Sequence, residues 1–361
     1  MKAKINTAIF LALMITITAA FIVMPKRAYS ENENRFLARL PEFSLSGLLD
    51  GRVTKGFEDY VTDGMPLRDR WIALKSQLDL LAGRGDTGGV YVTKDGSLIE
   101  MFTSVDQERF RKNLDYIRQA KKNLDIPGSF RVMLVPTASC VLRDKIGVYT
   151  PEIDQASLLD EASDLLSADC LAALSWHSDE YIYYRNDHHW TGLGAYYCYQ
   201  ALMGEEALPI SDFGCRLLSE RFLGTTFSKA GIYYEKDRMD AYVYGSPTVE
   251  YNMSGEIHEG IYETDYLDKK DKYSVYLNGN QALSVIQTGN EGGKLLLVKD
   301  SYANTFVQFL LPHYSEIHVV DLRSFGMSLS QYAQQAGIED VLVLYNLKGF
   351  SQETSLFRIA G

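Results

Sequence analysis

Four short runs limit the fold more than any other feature: Phe130–Val135, Leu295–Val298, Ile317–Val320 and Val341–Tyr345 are apolar with little polar interruption. A strand with one wet face alternates apolar and polar side chains, so runs like these predict strands buried on both faces. Helical periodicity fills the intervals. Phe110, Leu114, Ile117 and Leu124 share one face, opened by a Ser104-x-x-Gln107 capping pattern, and further helices are expected over Leu158–Leu174, Thr191–Met203, Ala303–Leu311 and Ser328–Ala336. Strands separated by helices predict an α/β domain built on a doubly wound parallel sheet with helices on both faces. Such sheets bind ligands beyond the carboxyl ends of their strands, so residues just after each run are where chemistry is expected.

The N-terminus carries a second constraint. Lys2 and Lys4 precede an uncharged run from Ile5 to Met24, closed by Pro25, Lys26 and Arg27. Twenty helical residues span about 30 Å, enough to cross a hydrocarbon core. The run is longer than a secretory signal requires, which favours an uncleaved single-pass anchor over residues 1–30; Ala28-Tyr29-Ser30 also fits a signal cleavage site, which would leave a secreted chain. Either form places the domain on the extracytoplasmic face of the cell membrane. Residues 31–50 are polar, then punctuated by Pro41, and are expected to be a linker to a domain over 51–361. Within it, Val90–Val92 and Leu98–Ile99 flank Lys94-Asp95-Gly96 as a hairpin, and residues 205–290 are expected to form an irregular insertion.

Charge and cysteines bound the partners. The 361 residues carry a formal net charge of -11; the first thirty hold four basic and no acidic side chains, so the remainder is at -15. That field repels phosphate backbones and excludes nucleic acid as a natural partner. Cys140, Cys170, Cys198 and Cys215 match no zinc spacing, and no cofactor is implied. Outside the cell they could remain thiols or pair; short loop length favours Cys198 with Cys215.

A serine hydroxyl attacks well only when a base takes its proton, and the base is commonly a histidine oriented by a carboxylate. Asp187 and His189 stand two apart, so in an extended segment they share one side while His188 points away. Ser301 follows the run Leu295–Val298 and precedes a helical pattern, where N–H groups near Tyr302 could hold an oxyanion. No Gly-x-Ser-x-Gly elbow is present, which argues against an α/β-hydrolase. The bland alternative is a capping serine and a core histidine. A metal held by Asp187, His188 and His189 is not expected, because adjacent histidines chelate one ion poorly.

Tyr184-Arg-Asn-Asp-His-His-Trp-Thr191, continued by Gly192-Leu-Gly-Ala-Tyr-Tyr197, resembles the signature of the DHHW protein family. Lys299-Asp-Ser-Tyr-Ala-Asn304 and Val320-Asp-Leu-Arg323 resemble its second signature, and the likeness extends to Glu33-Asn-Arg35, Val90–Leu98 and Phe222–Gly231. That family is similar to the SGNH hydrolase-like proteins of alginate O-acetylation. The resemblance implies a flavodoxin-like SGNH fold with Asp187 as acid, His189 as base and Ser301 as nucleophile. Lys299-Asp300 stands where that branch has a small Gly-Thr pair, which puts the oxyanion geometry in doubt.

The resemblance further implies an extracytoplasmic O-acetyltransferase acting on an exported polysaccharide, with a membrane-bound O-acyltransferase delivering acetyl groups. A polysaccharide acetylesterase and a non-catalytic carbohydrate-binding scaffold are the alternatives. Four more residues are candidates for substrate or oxyanion contacts. Arg323 could grip charge or pair with Asp321. Asn280 could donate to an oxyanion or merely make an Asn-Gly turn. Tyr302 could shape the pocket or pack, and Trp190 could stack on a sugar or pin the catalytic loop.

Overall fold

The computed structural model describes residues 2–30, 35–147 and 150–360; Glu33 and Asn34 of the family resemblance lie outside them. The chain divides into two compact units, Met1–Gly88 with Ser228–Ile232, and Gly89–Phe227 with Tyr233–Gly361. The first contains helix α1 (Lys2–Val23), which is long and apolar enough to cross a membrane and equally fits a signal sequence. Helices α2 (Arg52–Asp63) and α3 (Arg68–Leu81) follow. Just beyond α1, Lys26 donates to the Gly64 carbonyl at 3.2 Å and Arg27 pairs with Asp69 at 3.2 Å, tying the α2–α3 junction to the end of the apolar helix.

The second unit begins with the expected hairpin, β1 (Val90–Val92) and β2 (Leu98–Glu100), paired antiparallel, with Gly96 at φ +83° in its turn. Helix α4 (Gln107–Asn123) is capped by Asp106, not by Ser104: the aspartate accepts from Arg109 N–H at 3.0 Å, one residue before the first helical turn. Strand β3 (Phe130–Val135) follows. The single helix expected over Leu158–Leu174 is two, Gln155–Glu161 and α5 (Cys170–Trp176), the second started by an Asp169 cap. Helix α6 (Gly192–Met203) begins at a Thr191 cap.

The stretch expected to be irregular is ordered. It forms a bulged antiparallel hairpin, β4 (Gly214–Phe222) with β5 (Asp237–Val243), then contributes β6 (Thr248–Tyr251), β7 (Ile257–Glu259) and β8 (Leu283–Gln287) to the main sheet. These last three are short, and β6 buries only alternate residues, so no continuous apolar run announces them. The chain then enters β9 (Lys294–Lys299), helix α7 (Ala303–Phe306), β10 (Glu316–Val320), helix α8 (Leu329–Ala336) and β11 (Asp340–Asn346).

Spatial order in the seven-stranded sheet is β7-β6-β8-β10-β9-β11-β3. The four strands read from the sequence, β10, β9, β11 and β3, are mutually parallel; β8, β6 and β7 extend the sheet antiparallel. The expectation of a wholly parallel sheet is therefore corrected: the fold is α/β with a mixed sheet. Side-chain alternation feeds two cores. Met133, Leu295, Leu297, Val319 and Leu344 pack with Ala195 of α6 and Phe306 of α7, while Val132, Leu296, Val298 and Val343 pack with Phe110 and Leu114 of α4 and Leu329 of α8. The parallel half is thus covered by helices on both faces, as its composition demands.

After β9 the chain crosses to β10 on one side, then returns past β9 to β11 on the other. The carboxyl end of β9 is consequently the place where strand order reverses, and Ser301 lies two residues beyond it. Because Leu297 is fully buried in central strand β9, Leu297→Ala is expected to lower unfolding free energy by about 2–5 kcal/mol in urea titration; a change under about 1 kcal/mol would contradict the core assignment.

Candidate active site

The turn after β9 is shaped by Asp300. Its Oδ1 accepts Tyr302 N–H at 2.9 Å, and its Oδ2 accepts the Asn346 N–H at 2.8 Å and side-chain amide at 2.6 Å, stapling the turn to the end of β11. Burial pushes the Asp300 carboxyl up to about 6, against hydrogen bonds from Asn346 and Tyr302 and attraction to His189 and Lys299. Ser301, half-buried, stands on this turn. Its carbonyl accepts from Asn304 N–H at 3.2 Å and from Tyr273 OH at 3.0 Å.

The Asp187–His189 segment is a tight bend and not the extended stretch expected. Asp187 Oδ1 accepts both the backbone N–H of His189, at 3.0 Å, and its ring Nδ1–H. The two-residue spacing therefore works through a side-chain-to-backbone turn, which brings acid and ring together more directly than strand alternation would. Asp187 Oδ2 accepts Thr225 N–H at 2.7 Å and Thr225 OH at 2.9 Å. Gly224 leaves room for this packing, since a Cβ there would stand 2.1 Å from Oδ2. Burial would raise the Asp187 carboxyl, but His189, His188 and the hydrogen bonds from His189 and Thr225 outweigh it and hold it well below the usual carboxylate range.

These elements converge. His189 Nε2 lies 2.7 Å from Ser301 Oγ, so alcohol, imidazole and carboxylate form a continuous chain of hydrogen bonds. The imidazole is stacked on Tyr273, with centroids 3.7 Å apart and planes 9° apart. The same Tyr273 hydroxyl bonds the Ser301 carbonyl, so one tyrosine registers the imidazole against the serine. Asp237 does the same for the bend: its carboxylate accepts Arg185 N–H at 2.8 Å, Asn186 N–H at 2.7 Å and Tyr181 OH at 2.6 Å. Sequence reasoning missed Tyr273, Thr225, Gly224 and Asp237, which lie in the segment expected to be irregular; only the likeness over Phe222–Gly231 pointed near them.

The other candidates fall out differently. Trp190 is fully buried, donates to the Tyr302 carbonyl at 2.9 Å and stacks on Phe306, so it pins the loop and has no face for a sugar. Tyr302 is buried with its hydroxyl on the His188 carbonyl, a packing role. Its backbone N–H is committed to Asp300 and is not the oxyanion donor expected. Among the described residues Ser301 N–H makes no hydrogen bond, nor does the Asn280 amide nitrogen, whose oxygen is held by Lys299 at 2.7 Å. Arg323 forks onto Asp321 with its Nε at 2.9 Å, the pairing alternative. Asp187, His188 and His189 place donor atoms within 4.8 Å of one another. Each is engaged in hydrogen bonds, His188 Nδ1 with Thr225 OH at 2.6 Å. All four cysteines are thiols; Cys198 is buried on α6 and Cys215 exposed on β4, so the pairing expected between them is not formed.

Fold and site together are those of an α/β domain similar to SGNH hydrolase-like proteins. Residues 169–320 match the family described as DHHW protein, and residues 98–209 match the SGNH hydrolase-like domain of the acetyltransferase AlgX, so the resemblance carried by Tyr184–Thr191 and Lys299–Asn304 holds. A DHHW family protein from Eubacterium siraeum DSM 15702 has a similar structure (TM-score 0.64, 24% identity, 76% of this chain and 95% of that one). Bacillus cereus PatB1, solved with a sulfonyl adduct, is also similar (TM-score 0.60, 20% identity, 75% and 98%). No curated protein matches the chain.

A carboxylate whose folded value is depressed stabilises the fold above its ordinary value near 4, and that contribution fades as pH falls through this value and below. The melting-temperature gap between wild type and Asp187→Asn is therefore expected to narrow as pH drops from about 6 to about 3. A gap independent of pH would contradict the ionised, hydrogen-bonded state of Asp187.

Proposed function

We propose that this chain is an extracytoplasmic serine O-acetyltransferase acting on an exported polysaccharide through an acetyl-Ser301 intermediate. The observation that carries the proposal is the hydrogen-bonded series Asp187–His189–Ser301 at the carboxyl end of β9. The matches to DHHW protein and to the AlgX-type domain support it.

In the proposed reaction His189 Nε2 takes the Ser301 proton as Oγ bonds to the carbonyl carbon of an acetyl ester. Ser301 N–H and the Asn280 amide N–H receive the oxyanion. The C–O bond to the leaving alcohol then breaks, and the leaving oxygen takes the proton from His189. A polysaccharide hydroxyl, deprotonated by His189, attacks the acetyl-serine; the C–Oγ bond breaks and Ser301 regains its proton. Asp187 keeps the ring in the tautomer that leaves Nε2 free to accept, and steadies the imidazolium. The acidic surface suits a neutral or cationic polymer better than an anionic one. An α1 anchor would hold the domain near the bilayer, within reach of a membrane-bound acyltransferase as acetyl donor. Ser301 is only half-buried, so water reaching the same intermediate gives the second reading, a polysaccharide acetylesterase.

Incubation with an activated acetyl ester is expected to add one acetyl group by intact mass, absent in Ser301→Ala, with turnover falling at least about 10³-fold in Ser301→Ala or His189→Ala. Oligosaccharide acceptors are expected to become acetylated faster than ester is lost to water. Hydrolysis alone would favour the esterase; an adduct persisting in Ser301→Ala, or none in wild type, would overturn both.

A further inference from the structure

Lys299 is a residue for which the acyl-transfer chemistry above has no use, yet it is 2% exposed and sits two positions before the nucleophile. Its Nζ donates to Asn280 Oδ1 at 2.7 Å and to Asn304 Oδ1 at 2.8 Å. Among the described residues no carboxylate lies within ion-pairing distance of it. An ammonium buried with no carboxylate in direct contact opposes folding. Burial, with repulsion from Arg323 and against attraction from Asp321 and Asp300, pushes it down to about 8. Because the folded value is below the ordinary lysine value, the cost is present at neutral pH and is relieved only as pH rises from about 8 to about 10.

What this ammonium accomplishes is orientation. Asn304 Nδ2 also approaches Asn280 Oδ1, at 3.4 Å, and bonds the Gly279 carbonyl at 3.3 Å. Two donors thus converge on one atom of the Asn280 amide. Turning that amide over would set its NH₂ against an ammonium and another NH₂, so the group has one orientation: oxygen inward, both N–H donors outward. Asn280 is exposed and its donors are unengaged among the described residues. Asn304 is itself locked to the nucleophile's turn through its N–H on the Ser301 carbonyl.

The backbone leading to Asn280 carries strain. Leu277, Asn278 and Gly279 have φ of 56°, 55° and 74°, a region that disfavours non-glycine residues. Tyr266 OH on Asn278 Oδ1 (2.8 Å) and Gln281 Nε2 on the Asn278 carbonyl (2.7 Å) hold the segment there. Backbone strain and a buried ammonium meet at one exposed amide.

We infer that Lys299 is a positioning residue that fixes the Asn280 amide, through Asn280 Oδ1 and Asn304, as an oxyanion donor to the Ser301 acyl intermediate. The inference rests on the acyl-transfer reading above. It assigns a function to the Lys-Asp that precedes the serine: the lysine reaches the amide and the aspartate shapes the turn.

The test is a double-mutant cycle on the full-length chain, with an activated acetyl ester as substrate. Lys299→Met is expected to lower kcat about 10²–10³-fold with KM nearly unchanged, as does loss of one oxyanion donor. Its melting temperature at neutral pH is expected to equal or exceed that of wild type. Asn280→Ala is expected to lower kcat comparably, and Lys299→Met is expected to add little in the Asn280→Ala background. Equal losses from Lys299→Met with and without Asn280 would overturn the inference, as would a fall in stability with kcat intact. Should Lys299→Met fail to fold, Asn280→Ala decides alone: normal kcat rejects the arrangement, and reduced kcat at constant KM sustains it. Wild type that forms no acetyl adduct is a separate failure, of the acyl-transfer reading itself, and takes this inference with it.

Discussion

The 2.7 Å contact between Ser301 Oγ and His189 Nε2 joins segments 112 positions apart, and two buried carboxylates hold its ends. Asp300 ties the serine's turn to the end of β11, and Asp187 gathers the imidazole and a neighbouring threonine. Both acids sit in apolar surroundings that penalise charge, and each is answered by several hydrogen bonds. A site built this way depends on having every partner in place, because one missing donor leaves a buried charge uncompensated. Tyr273 completes the frame by touching both halves, its ring on His189 and its hydroxyl on the Ser301 carbonyl.

The sheet explains why such a frame can be rigid. Strand β9 is central, flanked by β10 and β11, and its side chains feed cores on both faces. The turn that leaves it inherits that rigidity, and the reversal of strand order opens a crevice above it. The antiparallel extension brings the segment that carries Asn280 and Tyr273 toward the same end, since Asp321 N–H beyond β10 bonds the Ala282 carbonyl. The insertion thus supplies both the stacking tyrosine and the free amide.

The parallel strands were legible because burial on two faces leaves continuous apolar runs, and Ser301 was legible because it follows one of them. Asp187 and His189 were legible from spacing, although by a turn geometry that alternation does not describe. The three added strands were not, because short half-buried strands such as Thr248–Tyr251 alternate over too few residues to stand out. Asp237, Thr225 and Tyr273 act through contacts with residues distant in the chain, and nothing local marks them. Trp190 shows the opposite failure: an aromatic beside a catalytic motif suggests a sugar platform, and only its complete burial assigns it to packing.

The proposed reaction requires that one histidine activate one serine. Treatment with an arylsulfonyl fluoride followed by peptide mapping tests this directly, since sulfonylation requires a nucleophilic oxygen relieved of its proton. A single sulfonyl group is expected on Ser301, formed in wild type and lost in His189→Ala while the fold persists. Equal labelling of Ser301 with His189 removed, or modification only at another residue, would contradict it.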